Sequence, residues 1–351
     1  MAVGKVQIES VQTVVPLRPS ELKSQSVQLA KDVQGTIFSR RFHVIVYYNK
    51  ASDDDSGWVT GGWMKETLGQ ALIDHPMLCG RLLQINNHTN NEFMEIVSND
   101  SGVRFYEARV CSMSLREVVE MVDNELEAEL VFWEDIDQQY PQFSPLCYVQ
   151  VTNFKCGGYS IGFSCSLIVM DPFTFTSFLK QWANIHYAML SKPQIPKLPL
   201  FHLSSIQKTT NLVSTTSLLG QDKSISVIFK TKSSGNLSIG AALCIEEAER
   251  KLGRILDNGF KFTLIVKHVS GETKAEAFCR QKLGAQSNKE GLVCGKWDAL
   301  RVDDMILQKD NMPAYVSYWI SSVNDQGLVM VISSPNRGKS GISTTFIVTL
   351  P

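Results

Sequence analysis

The residues of this chain that could carry chemistry are concentrated at the end of one strongly apolar stretch. The side chains of Cys165 and Ser166 can act as nucleophiles, and the carboxyl group of Asp171 can accept a proton. Between them stands Leu167, which has no titratable group and cannot take a proton from a substrate. No base is adjacent to Cys165 in the sequence, so we interpret it as a buried, unreactive thiol.

Asp171 also has a structural interpretation, because a predicted helix follows it. The dipeptide Asp171-Pro172 ends the apolar stretch, and apolar residues then recur at helical spacing over residues 173–190. An aspartate immediately before a helix accepts hydrogen bonds from the first free N–H groups of that helix. We therefore favour a structural carboxylate, which caps the helix or pairs with an arginine, over a catalytic one.

His186 is a second candidate base, and it lies on the same predicted helix. Its position is on or near the apolar stripe of that helix. A histidine in such a position more often satisfies a hydrogen bond inside a helix interface than it serves as a catalytic base. We therefore predict a structural role for His186.

The bulk composition excludes several classes of function. The chain has 351 residues, of which 44% are hydrophobic and 20% charged, which is typical of a globular protein with two domains. Lys and Arg total 34 against 35 Asp and Glu, a balance that predicts no surface for nucleic acid or for anionic lipid. No stretch is long and apolar enough to span a membrane, and no signal peptide is visible. We expect a cytoplasmic, monomeric protein without a nucleic-acid partner.

Metal binding is not predicted either. The eight cysteines are scattered, none forms C-x-x-C, and no Cys/His cluster has the spacing of a zinc site. The acidic run over residues 52–56 has no surrounding ligand pattern and is interpreted as a solvated loop. The residues thus indicate no bound metal and no bound cofactor.

Strands and helices are mixed in both halves of the chain, which predicts an α/β protein with mixed sheets. Predicted strands span residues 6–15, 41–48, 147–154, 159–170, 260–269, 314–323, 327–333 and 344–350. Predicted helices span residues 62–74, a segment opened by the capping box Ser114–Glu117, and residues 173–190, 240–256 and 275–283. A proline-rich stretch followed by a serine- and threonine-rich one separates the halves. We therefore expect domains over residues 1–200 and 226–351, joined by a crossover linker over residues 201–225.

The apolar stretch resembles the motif strand of the plant BAHD acyltransferases. In that family a Gly-Gly turn leads into I-G-x-S-x-S and then into H-x-x-x-D, an order that Gly157-Gly158, residues 161–166 and Asp171 follow. The family's motif helix ends in Trp-Ala, which Trp182-Ala183 matches. Residues 76–82, 99–103 and 143–146 resemble three further family segments in the same order.

This resemblance implies a two-domain fold of the chloramphenicol-acetyltransferase (BAHD) type, with mixed sheets and a channel between the domains. In the family, acyl-CoA enters the channel from one face and an alcohol or amine acceptor enters from the other. The motif histidine is the general base that takes the proton of the acceptor. The motif aspartate is mainly structural, and a second motif, D-F-G-W-G, braces the C-terminal domain.

The chain departs from the family pattern in both motifs. Leu167 stands where the family has its catalytic histidine, and Pro172 stands where it usually has glycine. Asp-Asp-Met-Ile-Leu-Gln at residues 303–308 replaces the second motif, and the C-terminal half is shorter than usual, chiefly between residues 270 and 302. The lost second motif and F-K-C-G-G at residues 154–158 resemble the ECERIFERUM/Glossy branch. Members of this branch support very-long-chain fatty-acid elongation for cuticular wax, beside the elongase condensing enzyme.

The resemblance implies two main functions. The first is a BAHD-like protein without the catalytic histidine, which acts as an accessory factor beside the fatty-acid elongase condensing enzyme and associates with the endoplasmic reticulum. The alternative is an acyl-CoA-dependent O- or N-acyltransferase of plant specialised metabolism with a non-standard active site. Acyl-CoA would then be the co-substrate, and the transferred group would not be an amino-acyl group. A diverged enzyme such as a lyase, and a degenerate gene product, also stay open.

Overall fold

The computed structural model describes residues 6–52, 55–85, 93–121, 124–192, 199, 225–231, 236–280, 292–323, 326–335 and 342–351. Residues 201–224 of the predicted linker lie outside these ranges, whereas residue 225 begins a strand. Asp53 and Asp54 of the acidic run also lie outside them.

The described residues form two β-sheets and several helices. The strands are β1 (Gln7–Val14), β2 (Ser24–Leu29), β3 (Arg41–Tyr48), β4 (Arg81–Ile85), β5 (Phe93–Val97), β6 (Val103–Val110), β7 (Cys147–Phe154), β8 (Tyr159–Ser166), β9 (Ile225–Thr231), β10 (Lys261–Lys267), β11 (Thr273–Cys279), β12 (Val293–Gly295), β13 (Tyr315–Ile320), β14 (Gly327–Pro335) and β15 (Ile342–Leu350). The helices are α1 (Gln34–Phe38), α2 (Gly57–Ala71), α3 (Leu115–Met121), α4 (Asn124–Glu129), α5 (Pro172–Leu190) and α6 (Leu237–Leu252).

The motif strand β8 lies inside a six-stranded sheet of order β1-β6-β7-β8-β3-β13. Strands β6 and β7 are parallel and the other neighbours are antiparallel, so the sheet is mixed as predicted. All eight residues of β8 are buried, because protein covers both faces of this central strand. Gly162 allows that cover to approach closely, since a side chain at this position would collide with the carbonyl oxygen of Leu130.

The second sheet has nine strands in the order β12-β9-β15-β14-β10-β11-β2-β5-β4. It combines β2, β4 and β5, which precede the motif strand in sequence, with strands that follow it. Conversely, β13 from the C-terminal part pairs with β3 in the six-stranded sheet. The strands of the two sheets therefore interleave along the chain, and the predicted domain bounds 1–200, 201–225 and 226–351 stay a prediction.

One hydrophobic core joins the two sheets, and two smaller clusters cover their outer faces. The joining core includes Phe42 and Phe163 of the six-stranded sheet and Leu328 and Met330 of the nine-stranded sheet. The outer face of the nine-stranded sheet packs against α6. The outer face of the six-stranded sheet packs against α3, α4 and residues 130–131. The motif strand thus ends between the two sheets.

The helix predicted over residues 275–283 is wrong where the structure describes the chain, and residues 281–283 lie outside the described ranges. Residues 273–279 form strand β11, which pairs antiparallel with β10 from Lys261↔Cys279 to Lys267↔Thr273. Ala275 is buried while its neighbours Lys274 and Glu276 are not, which is the alternation of a half-buried strand. The helical propensity of Ala and Glu is overridden because β11 also pairs with β2 and so bridges the two parts of this sheet.

Several predicted element boundaries also differ from the structure, and three of these differences have a local cause. Helix α2 begins at Gly57 instead of residue 62, because the Ser56 hydroxyl accepts a hydrogen bond from Val59 N at 3.3 Å. Helix α6 ends at Leu252 because Gly253 adopts a left-handed conformation with φ 64°. Strand β8 ends at Ser166 instead of residue 170, and a turn follows it. The capping box is confirmed, since Ser114 N and Glu117 N each bond the other residue's side chain.

Candidate functional site

A tight turn follows the motif strand and carries Leu167. The N–H of Leu167 donates to the carbonyl oxygen of Arg40 at 3.1 Å, and the N–H of Val169 donates to that of Ser166 at 3.0 Å. The Leu167 side chain is 0% exposed and belongs to the core that joins the two sheets. An aliphatic side chain buried in this way can neither take nor give a proton.

Asp171 closes the turn and caps the helix that follows it. Its Oδ1 atom accepts hydrogen bonds from the N–H groups of Phe173 at 2.9 Å and Thr174 at 3.1 Å. Its Oδ2 atom accepts a hydrogen bond from the Thr174 hydroxyl at 2.6 Å. Both oxygens are therefore used to hold the first turn of α5, where the positive end of the helix dipole favours a negative charge.

We expect Asp171→Ala to lower the free energy of unfolding by about 1–2 kcal/mol, because α5 loses the acceptor for its first N–H groups. Urea unfolding followed by circular dichroism measures this change. Asp171→Asn is the matched control and should stay close to the wild type, because asparagine caps helices about as well as aspartate. An equal loss in both variants would mean that the charge of Asp171, and not its capping oxygen, is what the fold requires.

Lys267, a residue that the sequence interpretation missed, reaches the same turn from the nine-stranded sheet. It is the last residue of β10, and its Nζ atom donates to the carbonyl oxygen of Ile168, the residue after Leu167. The same Nζ atom donates to the Thr273 hydroxyl on β11 at 2.8 Å. Lys267 therefore ties the motif turn to the opposite sheet.

The amine of Lys267 is placed where its charge is unfavourable. The residue is only 8% exposed, and burial lowers the pKa of Lys267 to about 7, while the negative charge of Asp171 counteracts part of that shift. A lysine at the end of a strand usually points to solvent, so nothing in the sequence distinguished this one. It is nevertheless a titratable group within hydrogen-bond reach of the turn that carries Leu167.

The other candidate nucleophiles are held in structural contacts. Cys165 is 0% exposed and lies opposite Cys147 across β7 and β8. The hydrogen bond that the Cys147 thiol donates to Cys165, together with burial, raises the pKa of Cys147 well above its ordinary value. The Ser166 hydroxyl accepts the N–H of Ile168 at 3.3 Å and helps to form the turn. No hydrogen bond among the described residues joins a base to the side chain of Cys165 or Ser166, although Lys267 lies close enough to Cys165 for the two to interact electrostatically.

His186 does not reach the motif turn, because it faces helix α2. Its Nδ1 atom lies 3.1 Å from the Thr67 hydroxyl oxygen, which also accepts a hydrogen bond from Trp182 Nε1 at 3.0 Å. The side chain is 0% exposed, and burial lowers the pKa of His186 to about 4, so the imidazole is neutral at pH 7. His186 thus braces the contact between α2 and α5.

The segment that replaces the second motif braces the six-stranded sheet. Met305 and Leu307 are each 1% exposed within the core that joins the sheets. The carbonyl oxygen of Met305 accepts a hydrogen bond from the Tyr48 hydroxyl at 2.8 Å, and Gln308 Nε2 donates to Asp55 Oδ1 at 3.2 Å. This segment therefore retains a packing role although it has neither the glycine nor the aromatic residues of the family pattern.

Two negative observations restrict the chemistry of the described residues. Within the described ranges, no group of three or more His, Cys, Asp or Glu side chains is arranged to hold a metal ion. None of the helices in that part of the chain is both long and apolar enough to cross a lipid bilayer.

Comparison with known proteins gives a family match over more than half of the chain. The model of the family described as Transferase family matches residues 4–212. Protein ECERIFERUM 26-like of Arabidopsis thaliana is 36% identical over 86 residues, which are 24% of this chain and 20% of that protein. Protein ECERIFERUM 2 of the same plant is 30% identical over 137 residues, 38% of this chain and 32% of that protein.

An enzyme of the family is similar over a comparable length. A hydroxycinnamoyl-CoA:5-hydroxyanthranilate N-hydroxycinnamoyltransferase of Avena sativa is 29% identical over 149 residues, 41% of this chain and 33% of that enzyme. The aligned segments thus span a third or less of each of these relatives. In an alignment with the crystal structure of vinorine synthase, 98% of this chain and 94% of the vinorine synthase chain are covered, with 15% sequence identity and a TM-score of 0.49. At that score the family assignment rests on the sequence match alone.

Proposed function

This chain belongs to the Transferase family, the family of the BAHD acyltransferases, and we propose that it has lost that family's catalytic histidine. In this proposal it is an accessory factor in very-long-chain fatty-acid elongation for cuticular wax. The observation that carries the proposal is the fully buried Leu167 in the turn after the motif strand. The similarity to ECERIFERUM proteins supports a role in wax formation.

The chemistry of acyl transfer explains why Leu167 points away from catalysis. An alcohol or amine attacks a thioester efficiently only when a base removes its proton, and the loss of such a base typically costs about 10²–10⁴-fold in rate. Leu167 offers no lone pair, and its side chain is fully buried in the core that joins the two sheets. The fold is then available for binding an acyl chain or a partner, which here would be the elongase condensing enzyme at the endoplasmic reticulum.

Co-expression with an elongase condensing enzyme in yeast tests this proposal. We expect the cells to accumulate longer acyl chains than cells that express either protein alone, as measured by gas chromatography of fatty-acid methyl esters. A variant with Asp171→Ala, which should weaken the fold at the motif helix, serves as a control for expression of a damaged protein. Unchanged chain lengths with a well-expressed wild-type protein would overturn the accessory role.

A second candidate function, a slow acyl-CoA-dependent transferase, is favoured by Lys267. Its amine is the titratable group that bonds the motif turn directly, and a lysine with a pKa near 7 is partly neutral at physiological pH. In such an enzyme, acyl-CoA would be the co-substrate and Lys267 would replace the histidine as proton acceptor. Proximity and orientation would contribute the rest of the rate.

Release of free CoA from a panel of acyl-CoAs, with and without alcohols and amines, decides between the two functions. The transferase predicts CoA release that is lost in Lys267→Met and kept in Cys165→Ala and His186→Ala. The accessory factor predicts no release above the buffer rate in any of these proteins. Release that survives all three substitutions would mean that binding and orientation alone support transfer.

A further inference from the structure

Several buried polar side-chain atoms on the outer face of the six-stranded sheet have no hydrogen-bond partner among the described residues, including both ring nitrogens of His43 and the Oε1 atom of Gln150, and three of them are donors that lie close together. These three donors are the hydroxyl groups of Tyr148 and Ser164 and the Nε–H group of Arg41. Tyr148 is 1% exposed, and Ser164 and Arg41 are 0% exposed. Buried polar groups are nearly always paired in folded proteins, so three unpaired donors in one place indicate a missing acceptor.

The three donors lie on one face of the sheet and close together. Tyr148 is directly opposite Ser164 across β7 and β8, and Arg41 is opposite Ser166 across β3 and β8. Side chains alternate between the two faces of a strand, so Ser164 and Ser166 share a face with Tyr148 and Arg41. The guanidinium carbon of Arg41 lies 5.0 Å from the centre of the Tyr148 ring. This face is opposite to the one that carries Cys165.

Positive charge surrounds these donors. Arg104 is in register with Tyr148 across β6 and β7, and Arg81 donates to the carbonyl oxygen of Gly102, at 3.1 Å, just before β6 begins. Within the described part of the chain, no ion pair includes Arg41, Arg81 or Arg104. Three guanidinium groups thus meet near one phenol without a carboxylate bonded to any of them.

The hydroxyl group of Tyr148 remains a donor at neutral pH. Burial raises the pKa of Tyr148 to about 12, although the positive charges of Arg41, Arg81 and Arg104 lower it. Among the described residues, the acidic group that contributes to raising the pKa of Tyr148 is Glu134, and its side chain is exposed. The local charge therefore stays positive, and it favours a negatively charged acceptor.

Aromatic rings form the cover of this cluster. The Phe132 ring stacks on Tyr106 with 3.9 Å between centroids and lies 5.8 Å from the Tyr148 ring. Phe132 and Arg104 are both partly exposed, so the cluster reaches the surface of the protein at this end of the sheet. A small ligand would therefore approach the cluster from this end of the sheet.

We propose that Tyr148, Ser164 and Arg41 form a binding site for the oxyanion group of a phosphate ester or a carboxylate. Oxygens of such a group accept hydrogen bonds from hydroxyl and guanidinium donors, and these charge-assisted bonds are stronger than neutral ones. Arg81 and Arg104 contribute charge without direct contact. The site is separate from the motif turn, and it does not depend on whether the chain transfers acyl groups.

Isothermal titration calorimetry of the full chain with inorganic phosphate, and separately with acetate, tests this site. We expect saturable binding of one anion per chain, weakened about tenfold in Tyr148→Phe, which removes one hydrogen bond to a charged group. Arg104→Gln should also weaken binding and should reduce its dependence on salt. The matched control is Arg109→Gln, since Arg109 lies on the same strand but pairs with Glu9 at 2.6 Å.

Several results would overturn the proposal. Absence of saturable binding of both anions to the folded wild type would do so, as would equal binding by Tyr148→Phe. A loss in Arg109→Gln as large as in Arg104→Gln would indicate a general effect of net charge. Thermal melting of each variant separates loss of binding from loss of fold, and Arg104 is exposed enough for its variant to fold. Binding of phosphate no tighter than expected from its larger charge, and equal to that of sulfate and acetate at matched ionic strength, would indicate general charge attraction instead of a site.

Discussion

Leu167→His is expected to destabilise the protein by about 3 kcal/mol or more without creating acyl transfer. The leucine side chain is 0% exposed, so the variant loses the burial of an aliphatic group and gains a buried imidazole without a partner. Burial also disfavours the imidazolium form that a general base must reach during the reaction. Urea unfolding and a CoA-release assay on the same preparation measure both outcomes.

Leu167→Met is the matched control for this experiment. It keeps the volume and the apolar character of the site and should cost less than about 1.5 kcal/mol. Acyl transfer in the histidine variant, with wild type and Leu167→Met inactive, would contradict the expectation. It would mean that a substrate channel persists at the motif turn and that only the base has been lost.

The second large effect is expected from Lys267→Met, which should flatten the dependence of stability on pH above neutrality. The folded protein holds the pKa of Lys267 at about 7, whereas the unfolded chain holds it near 10.5. Between these values the unfolded chain binds more protons, so the free energy of unfolding of the wild type rises as the pH rises. Relative to the variant, this rise should amount to about 2 kcal/mol between pH 7 and roughly pH 9.

Urea unfolding of both proteins at several pH values measures this difference. Subtracting the two curves removes the titration of the tyrosines and cysteines, which both proteins share. Lys261→Met is the control, because Lys261 lies at the other, exposed end of the same strand. If the difference in free energy of unfolding between wild type and Lys267→Met did not change with pH, Lys267 would have an ordinary pKa in the folded protein. That result would remove the basis for Lys267 as a proton acceptor.

The amino-acid sequence by itself determined the elements around the motif. The β-branched and aromatic residues of Arg41–Tyr48 and Cys147–Phe154, and the turn at Gly157-Gly158, gave strands with the bounds found in the structure. The helical period after Asp171-Pro172 gave helix α5 to within one residue. These features are local, because hydrophobic period, turn residues and caps act within a few positions of the chain.

Other features were decided only by the tertiary structure. The hydrogen bond from Lys267 to Ile168 joins residues 99 positions apart, and the site proposed for an oxyanion combines Arg41 of β3, Tyr148 of β7 and Ser164 of β8. The sequence of residues 275–283 predicts a helix locally, yet residues 273–279 pair as strand β11 between β10 and β2. Register between distant strands determines which side chains meet and which are buried, and burial then sets the pKa of groups such as Lys267. For this protein the sequence thus determined where the motif turn lies and that Leu167 stands in it, while strand pairing decided that the buried Lys267 lies beside it.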